Sequence, residues 1–513
     1  MFKMMPLLIT IFVLVGFSSL NAQNPNNALL YSYQATLFGD QGAANDPISI
    51  IMPGTAFKSG FGSFMDNPAS MALHQQSFGE FGLSYRSVDE DATYLGQNRD
   101  LNDSQNGVSN FGFLYSFPTV QGSFVFGAGY SQHSIYNRAL GFRARNENST
   151  ITDKFKVNGS PYQEIAFNTF ATDEGDEFGD WDESIFRIGF DRFGDFLGLR
   201  QQGEIIQRGY SGEYSMFFAT EFQENFLVGA SIGLLSGRFN YSRIFQEIDE
   251  FNDYSSTIID SNGDGFGDTD VDNIILDDGL RSRFSGFRAR AGLLYKISDQ
   301  FNIGVSYTFP TTIDVDETFR ADLRTTFNNG VEFSDFTDSE FSYRVKYPAR
   351  TALGFGMQNL NGLSASFSAE YVDYSDTRID FRESSLFEDE LIENDFIEDN
   401  FRSVWSFRGG IAYDITPEFN LRAGYSRLPG RFAEISNDRN VYALGAGFSI
   451  TPNLRLEFAA QYAIWEEVSA VYDYASYDYS LLPDNPPSIN FRSEEVSRSV
   501  DRWQLLSTLR FNF

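Results

Sequence analysis

From Phe78 onward the chain alternates between apolar and polar positions. In 440–451, Tyr442, Leu444, Ala446, Phe448 and Ile450 are interleaved with Ala443, Gly445, Gly447 and Ser449. In 454–464, Leu454, Leu456, Phe458, Ala460, Tyr462 and Ile464 flank Arg455, Glu457 and Gln461. In 287–297, Phe287, Ala289, Ala291, Leu293, Tyr295 and Ile297 alternate with Arg288, Arg290 and Lys296. The last stretch repeats the pattern with Trp503, Leu505, Leu509, Phe511 and Phe513, broken only at Leu506 and Ser507. A side-chain period of two marks a strand with one apolar and one polar face. Such stretches fall near 78–88, 107–117, 123–142, 208–222, 226–248, 281–298, 301–328, 338–358, 363–381, 401–416, 419–431, 440–451, 454–472 and 498–513.

The connectors alternate in length. Those at 118–122, 223–225, 299–300, 359–362, 417–418 and 452–453 are tight turns. Those at 89–106, 143–207, 249–280, 329–337, 382–400, 432–439 and 473–497 are long. Short turns on one side and long loops on the other define an outer-membrane barrel, with an even number of antiparallel strands and both ends on the periplasmic side. The predicted fold is therefore all-β, a transmembrane antiparallel β-barrel of about 14 strands. Charges of both signs recur on the polar face: Arg288, Arg290, Arg344, Lys346, Arg350, Glu370, Arg408, Asp414, Arg422, Arg455, Glu457 and Arg510. A lumen braced by ion pairs accounts for them, since an isolated buried charge is costly. The competing fold is a soluble sandwich ending in an edge strand.

Composition favours the barrel. Aromatic residues make up 16% of the 513-residue chain, with 54 Phe and 26 Tyr, yet the net charge is −32. A soluble chain this acidic is normally poor in aromatics. A barrel has room for both, with aromatics against lipid and carboxylates in outer loops. No cysteine is present and only His74 and His133, so thiolate centres and His-rich metal centres are excluded. The negative balance argues against nucleic acid as a partner.

Lys3, the apolar run Leu7 to Phe17 and the small residues Ser18 to Ala22 read as an export signal cut after Ala22. Three segments follow: a signal peptide over 1–22, an irregular glycine-containing segment over 23–76, and the barrel with long acidic external loops over 77–513. Asp380 to Asn400 mixes nine carboxylates with Leu386, Phe387, Leu391, Ile392, Phe396 and Ile397, which fits a short amphipathic helix. The 143–207 loop carries Trp181, Phe186, Ile188, Phe190, Phe193, Phe196 and Leu197, suited to capping the barrel or to packing on other loops. Asp260, Asn262, Asp264 and Asp268 alternate around glycines as oxygen ligands do in calcium loops, although the twelfth position is Val271 rather than Glu. This loop is a candidate structural calcium site, set against a merely solvated acidic loop; no other cofactor is expected.

Met52-Pro-Gly-Thr-Ala-Phe57 followed by Asn67-Pro68-Ala69-Ser-Met-Ala72 resembles the hatch of FadL/TodX-type outer-membrane transporters. Tyr347 to Gly354, Leu421 to Ser426 and Asp438 to Phe448 also resemble that family, in order along the chain. The second hatch glycine of the family is displaced by Thr55 or Pro53, and the stretch from Phe57 to Asn67 is short. The resemblance implies a fourteen-stranded barrel plugged by 23–76, with Asn67, Pro68 and Ala69 as hatch-motif residues. It further implies passive uptake of a hydrophobic solute such as a long-chain fatty acid or hydrocarbon, which binds near the hatch and leaves sideways at a kinked strand. Phe57, Phe61, Phe64 and Met65 are the candidates for the apolar pocket, weighed against plain plug packing. Gly127 and Gly129 are the candidate kink, weighed against ordinary small wall residues. The expected surroundings are outer-membrane lipid and lipopolysaccharide, with the protein a monomer. The alternative is a structural or secretion-associated barrel whose loops hold a partner protein. An enzyme of the lipase kind ranks last, since neither His lies in a recognisable nucleophile–base motif.

Overall fold

The computed structural model describes residues 29–39, 45–157, 160–175, 181–188, 196–255, 259–432, 438–478 and 488–513; the proposed signal peptide and its cleavage site lie outside them. Fourteen antiparallel strands close into a ring. They are β1 (Phe78–Tyr94), β2 (Gln97–Phe117), β3 (Phe124–Ile135 and Arg138–Asn146), β4 (Leu199–Gln223), β5 (Phe226–Ile248), β6 (Val271–Lys296) and β7 (Phe301–Thr308 and Thr311–Phe327). The ring continues with β8 (Glu332–Tyr347 and Arg350–Leu360), β9 (Leu363–Asp373 and Arg378–Asp380), β10 (Ser403–Thr416), β11 (Phe419–Leu428), β12 (Arg439–Thr451), β13 (Leu454–Asp478) and β14 (Ser488–Asn512). β14 pairs with β1 from Asn512↔Phe78 to Val496↔Tyr94, which closes the barrel and removes its edges.

The outward face is apolar in one band. Tyr425, Tyr442, Tyr462 and Trp503 stand in direct cross-strand register over β11 to β14. Together with Tyr371 and Trp405 on β9 and β10, they form part of an interfacial aromatic girdle. A membrane-crossing strand needs only about ten tilted residues. β4 has 25, so its outer part stands clear of the bilayer.

That projection explains where the sequence reading fell short. The loop expected over 89–106 is instead the continuation of β1 and β2 to a turn at Leu95-Gly96, where both residues adopt positive φ. On β1 the outward side chains change from Phe81, Leu83 and Tyr85 to Asp89, Asp91 and Thr93, while Val88, Ala92 and Tyr94 turn inward and are buried. Above the membrane the exterior is water and the interior is packed, so the alternation inverts. Arg344 and Lys346 obey the same inversion: Tyr343, Val345 and Tyr347 face inward and Arg344 pairs outside with Asp314. Asp414, beside a short turn, is exposed. These three are not lumen charges, whereas Arg288, Arg290, Arg422 and Glu457 are buried as expected.

Among the described residues four α-helices accompany the ring: α1 (Leu29–Phe38), α2 (Thr152–Phe155), α3 (Gln163–Asn168) and α4 (Phe387–Asn400). The apolar interior is stacked in tiers. At one end Phe61, Phe64, Ala69 and Met71 pack on Phe78, Leu114, Val125, Phe217 and Leu294. Ile48, Ile50, Ile51, Met52 and Phe57 pack beside them on Ala443, Ala459 and Leu506. The middle tier holds α1 and part of α4 against β5 to β10. At the other end the 147–188 segment packs Phe155, Tyr162, Ile165, Ile185 and Phe186 onto inward residues of the projecting strands, among them Tyr94, Phe142, Phe245, Leu276 and Tyr472. Each such large side chain contributes about 1.5–3 kcal/mol by leaving water.

Candidate functional site

Residues 45–76 fit the wall closely. The wall offers glycine where the segment comes nearest. A Cβ on Gly292 of β6 would lie 1.8 Å from Asn67 Oδ1, and one on Gly304 of β7 2.1 Å from the Thr55 carbonyl oxygen. One on Gly410 of β10 would lie 2.1 Å from the Ile51 carbonyl oxygen, and one on Gly112 of β2 2.2 Å from the Phe61 ring. Only a residue without a side chain permits such contact.

Asn67 is the hub. Its Oδ1 accepts from the Ala69 amide at 2.9 Å and so caps the 3-10 turn Pro68–Leu73, with Pro68 at the start where no amide hydrogen is needed. Its Nδ2 donates to the carbonyl oxygens of Thr55 at 2.7 Å and of Leu293 on β6 at 3.1 Å. Asp66 accepts from the Gly54 amide at 2.8 Å and pairs with Arg408 of β10. Asp46 gathers the amides of Ile48, Ser49 and Gly62. The segment is thus fastened internally and to the wall.

Phe61 and Phe64 meet edge-on at 5.6 Å, and Phe64 stacks on Phe217 of β4 at 5.0 Å. Met65 packs half-buried against this group. Phe57 belongs to a different cluster, with Ile48, Ile51 and Leu506. The four pocket candidates therefore do not line one space; three of them gather beneath β4, already in contact.

β3 is broken, but not at Gly127 or Gly129. Both glycines sit in regular ladders, Gly127 opposite Leu114 and Phe217, Gly129 opposite Gly112 and Ser215. Their lack of a side chain admits the rings of Phe217 and Phe61. The register with β4 shifts between Gln132 and Ser134, and the strand stops at Ile135 to resume at Arg138. Pairing with β2 ends at Asn110↔Ser131. Beyond it, Arg138–Asn146 pairs only with β4. Opposite the break, Gly209 has φ +155 and its carbonyl accepts from Tyr136 N at 3.0 Å. The gap left between β2 and β4 is spanned by side chains: Arg208 to Asp103 at 2.6 Å, Arg99 to Glu204 at 2.8 Å and Gln105 Nε2 to Gly209 O at 3.3 Å.

Arg138, which opens the second half of β3, is held in a ring of four charges. Glu90 of β1 accepts from it at 2.5 Å and Glu467 of β13 at 2.9 Å; Arg498 of β14 reaches Glu90 at 3.0 Å and also Glu467. The Ala139 amide donates to Glu90 at 3.1 Å. Sequence reasoning missed this ring because Glu90 lay in a supposed loop. A second buried group is Glu213 of β4, which holds Arg290 at 2.7 Å and Arg288 at 3.2 Å. Arg288 Nη2 has no hydrogen-bond partner among the described residues.

In the 147–188 segment, Lys156 binds Asp153 at 2.9 Å and Glu183 at 2.7 Å, and Arg187 binds Asp153 at 2.7 Å. Burial alone would raise the Asp153 carboxyl, but Lys156 and Arg187 hold it below the usual range. The 260–268 loop is exposed and turned on itself. Asp260 accepts from the amides of Gly263 and Gly265, each at 2.6 Å, which keeps its carboxyl below the usual range. Asp268 accepts from Ser261 N at 2.9 Å and Asn262 Nδ2 at 3.0 Å. Among the described residues no three carboxylate or imidazole groups converge as metal ligands.

A closed fourteen-stranded antiparallel barrel with an apolar outer band is the architecture of a bacterial outer-membrane protein. The family model for outer membrane protein transport proteins (OMPP1/FadL/TodX) matches residues 225–480. The chain belongs to this FadL/TodX family of the bacterial outer membrane, whose members are transport proteins and not enzymes. The solved structure of the toluene transporter TodX from P. putida is similar at TM-score 0.51 and 14% identity, covering 92% of this chain and 99% of that chain. The Ralstonia pickettii toluene transporter TbuX aligns with 18% identity over 93% of this chain and 100% of its own, at TM-score 0.45. A FadL homologue from Pseudomonas aeruginosa aligns at 13% identity and TM-score 0.48, covering 92% and 98%. No curated protein sequence matches the chain.

Proposed function

We propose that this barrel takes up hydrophobic solutes, long-chain fatty acids or hydrocarbons, passively across the outer membrane, as a monomer with residues 23–76 as its plug. The observation that carries this reading is the combination of a filled lumen with a wall whose β2–β3 pairing ends at Asn110↔Ser131, level with the outward apolar residues Leu83 and Val108. A small polar solute gains nothing from such a path. An apolar solute does, because a sideways exit spares it a water-filled gap and each buried methylene contributes about 0.8 kcal/mol. The relatives named as toluene transporters support a hydrocarbon, while the buried Arg288, with an unpartnered Nη2, favours a carboxylate head. A barrel-deletion strain of a host that grows on oleate or toluene, complemented with this chain, tests the reading. Restored uptake of either solute is expected; uptake equal to the empty vector rejects it.

A second reading, a barrel that holds a partner protein through its loops, rests on α4. Its outer side exposes Phe387, Leu391 and Ile392 among carboxylates. Co-purification of a secreted protein with unchanged solute uptake would favour this reading over the first.

A further inference from the structure

Arginines gather on the outward face of β4, β5 and β6, just beyond the apolar band on the long-loop side. The band ends there at the cross-strand row Tyr214, Leu234 and Phe287, all exposed. On β4 its outward apolar residues run from Phe222 through Phe218 and Met216 to Tyr214, a span that matches the about 9–11 tilted residues needed to cross the hydrocarbon. The next outward row is Gly212, Ser236 and Ser285; after it come Tyr210, Arg238 and Arg283, then Arg208, Asn240 and Arg281. At ~3.3 Å per residue and a tilt of ~45°, the Arg238–Arg283 row stands about 9 Å beyond the Phe287 row. That is the level of lipid headgroups, and long arginine side chains reach back toward them.

Three of these side chains lack the partners that other arginines of the chain have. Arg208 is held by Asp103 at 2.6 Å. Among the described residues Arg238, Arg281 and Arg283 pair with no carboxylate. The guanidinium of Arg238 lies over the Tyr210 ring at 4.9 Å, which occupies its face and leaves its N–H edge free. Asp316, opposite Arg283 in register, accepts instead from Ser342 Oγ at 2.6 Å. Asp314, one row nearer the membrane, pairs with Arg344 and Arg382. Arg238 and Arg283 themselves stand directly opposite each other, and like charges so placed destabilise a sheet. The chain has 70 acidic residues against 38 basic ones, so carboxylates were plentiful, yet this sector has only cations to spare. Elsewhere at this height the outside is acidic: beyond Tyr85, β1 presents Ser87, Asp89 and Asp91.

We infer that Arg238, Arg281 and Arg283 hold a phosphate group of an acylated glycolipid of the outer leaflet, whose acyl chains lie along Tyr214, Leu234 and Phe287. A phosphate accepts from two guanidinium forks at once and so relieves the repulsion between Arg238 and Arg283. The surface is cationic above and apolar directly below, which matches a phosphorylated amphiphile seated in the same leaflet. A free anion or an acidic protein would use only the upper half. At the acidic sector of β1 such a lipid needs a divalent cation as a bridge; at the arginines it needs none. The site lies outside the barrel and does not depend on which solute crosses it.

Full-length protein in detergent, mixed with bisphosphorylated lipid A in the presence of a chelator, is read by native mass spectrometry. One bound lipid is expected, retained at least tenfold more tightly than by R238Q/R281Q/R283Q. Dephosphorylated lipid A is expected to bind both proteins equally weakly. The control R200Q/R320Q/R378Q removes three arginines that each have a carboxylate, Glu250, Asp322 and Glu398, and is expected to bind like the natural chain. Equal retention by the site variant and the natural chain overturns the inference. So does an equal loss in the control, which would mean bulk charge, and so does retention that ignores the phosphates. Complete displacement by inorganic phosphate would reveal a bare anion site, and a lipid-free dimer abolished in the site variant would reveal a second copy as the occupant; either result rejects the glycolipid. The shift on unheated gels reports that each barrel is folded. If the triple variant fails it, R283Q alone takes its place, with several-fold weaker retention expected and unchanged retention overturning the inference.

Discussion

At the scale of single residues, two kinds of position carry the lumen. Wall glycines matter for what they lack. A methyl group on Gly304 would collide with the Thr55 carbonyl oxygen, and backbone cannot swing aside as a flexible side chain can. Gly304→Ala is therefore expected to dislodge residues 45–76 from the wall without unfolding the barrel, since β7 keeps its ladders. Planar-bilayer recordings should show brief ion-conducting openings absent from the natural protein; a silent variant would count against close packing as the seal. Buried charges matter for what they hold. Glu213→Ala would leave Arg288 and Arg290 buried and unpaired, a loss of about 3–5 kcal/mol. Urea unfolding in detergent should reveal it, and a loss below about 1 kcal/mol, the scale of an exposed pair, would mean that water reaches the site.

At the scale of elements, the second half of β3 is the departure from a plain barrel. It pairs on one side only, and its inner anchor is the ring of Glu90, Arg138, Glu467 and Arg498. Glu90→Gln keeps the shape but removes a charge shared by two arginines. Trypsin should then cut after Arg138, Arg143 or Arg145 several times faster, and an unchanged digest would show that β4 alone holds the half-strand. The α1–α4 contact has its own pH dependence. Burial pushes the Glu393 carboxyl up to about 7, with Asp389 adding to the rise and the Ser32 bonds opposing it. An acid whose folded pKa is raised stabilises the folded form only while protonated, so stability falls as pH rises from about 4.5, the ordinary value, through 7. Hydrogen exchange in 29–38, corrected for intrinsic rate, should be slower at pH 5 than at pH 8. In E393Q the difference should vanish; its persistence would place the switch elsewhere.

At the scale of the whole molecule, the lumen is filled twice over, by 45–76 at the short-turn end and by the core beneath the 147–188 segment at the end of the projecting strands. The two fillings lie in series with α1 between them. Deleting 23–76 alone is then expected to give small, unsteady conductance, because the outer core still fills the mouth. Deleting 148–187 as well, with a short flexible bridge, should give a wide and steady pore. If the first deletion alone conducts fully, the outer core is not a barrier.

The barrel was legible in the chain because lipid outside and a polar lumen inside impose a period of two, and short turns such as Asn359–Gly362 punctuate it. All fourteen strands lie where the alternation put them. Their outer lengths were not legible, since beyond the bilayer water replaces lipid and Val88, Ala92 and Tyr94 turn inward just where the pattern sought loops. The helix at Phe387–Asn400 was visible from its mixed apolar and acidic run. The break in β3 was not, because Gly127 and Gly129 signal close packing with Phe61 and Phe217, while the strand ends at Ile135, a residue with no local reason to stop. Sequence determined which faces meet lipid, a requirement each strand satisfies by itself. Only the tertiary structure decided what fills the interior, because Phe38 stacked on Phe284, Asn67 against Gly292 and Glu90 between two arginines are contacts between separate parts of the chain, set by closure of the ring and by no local pattern.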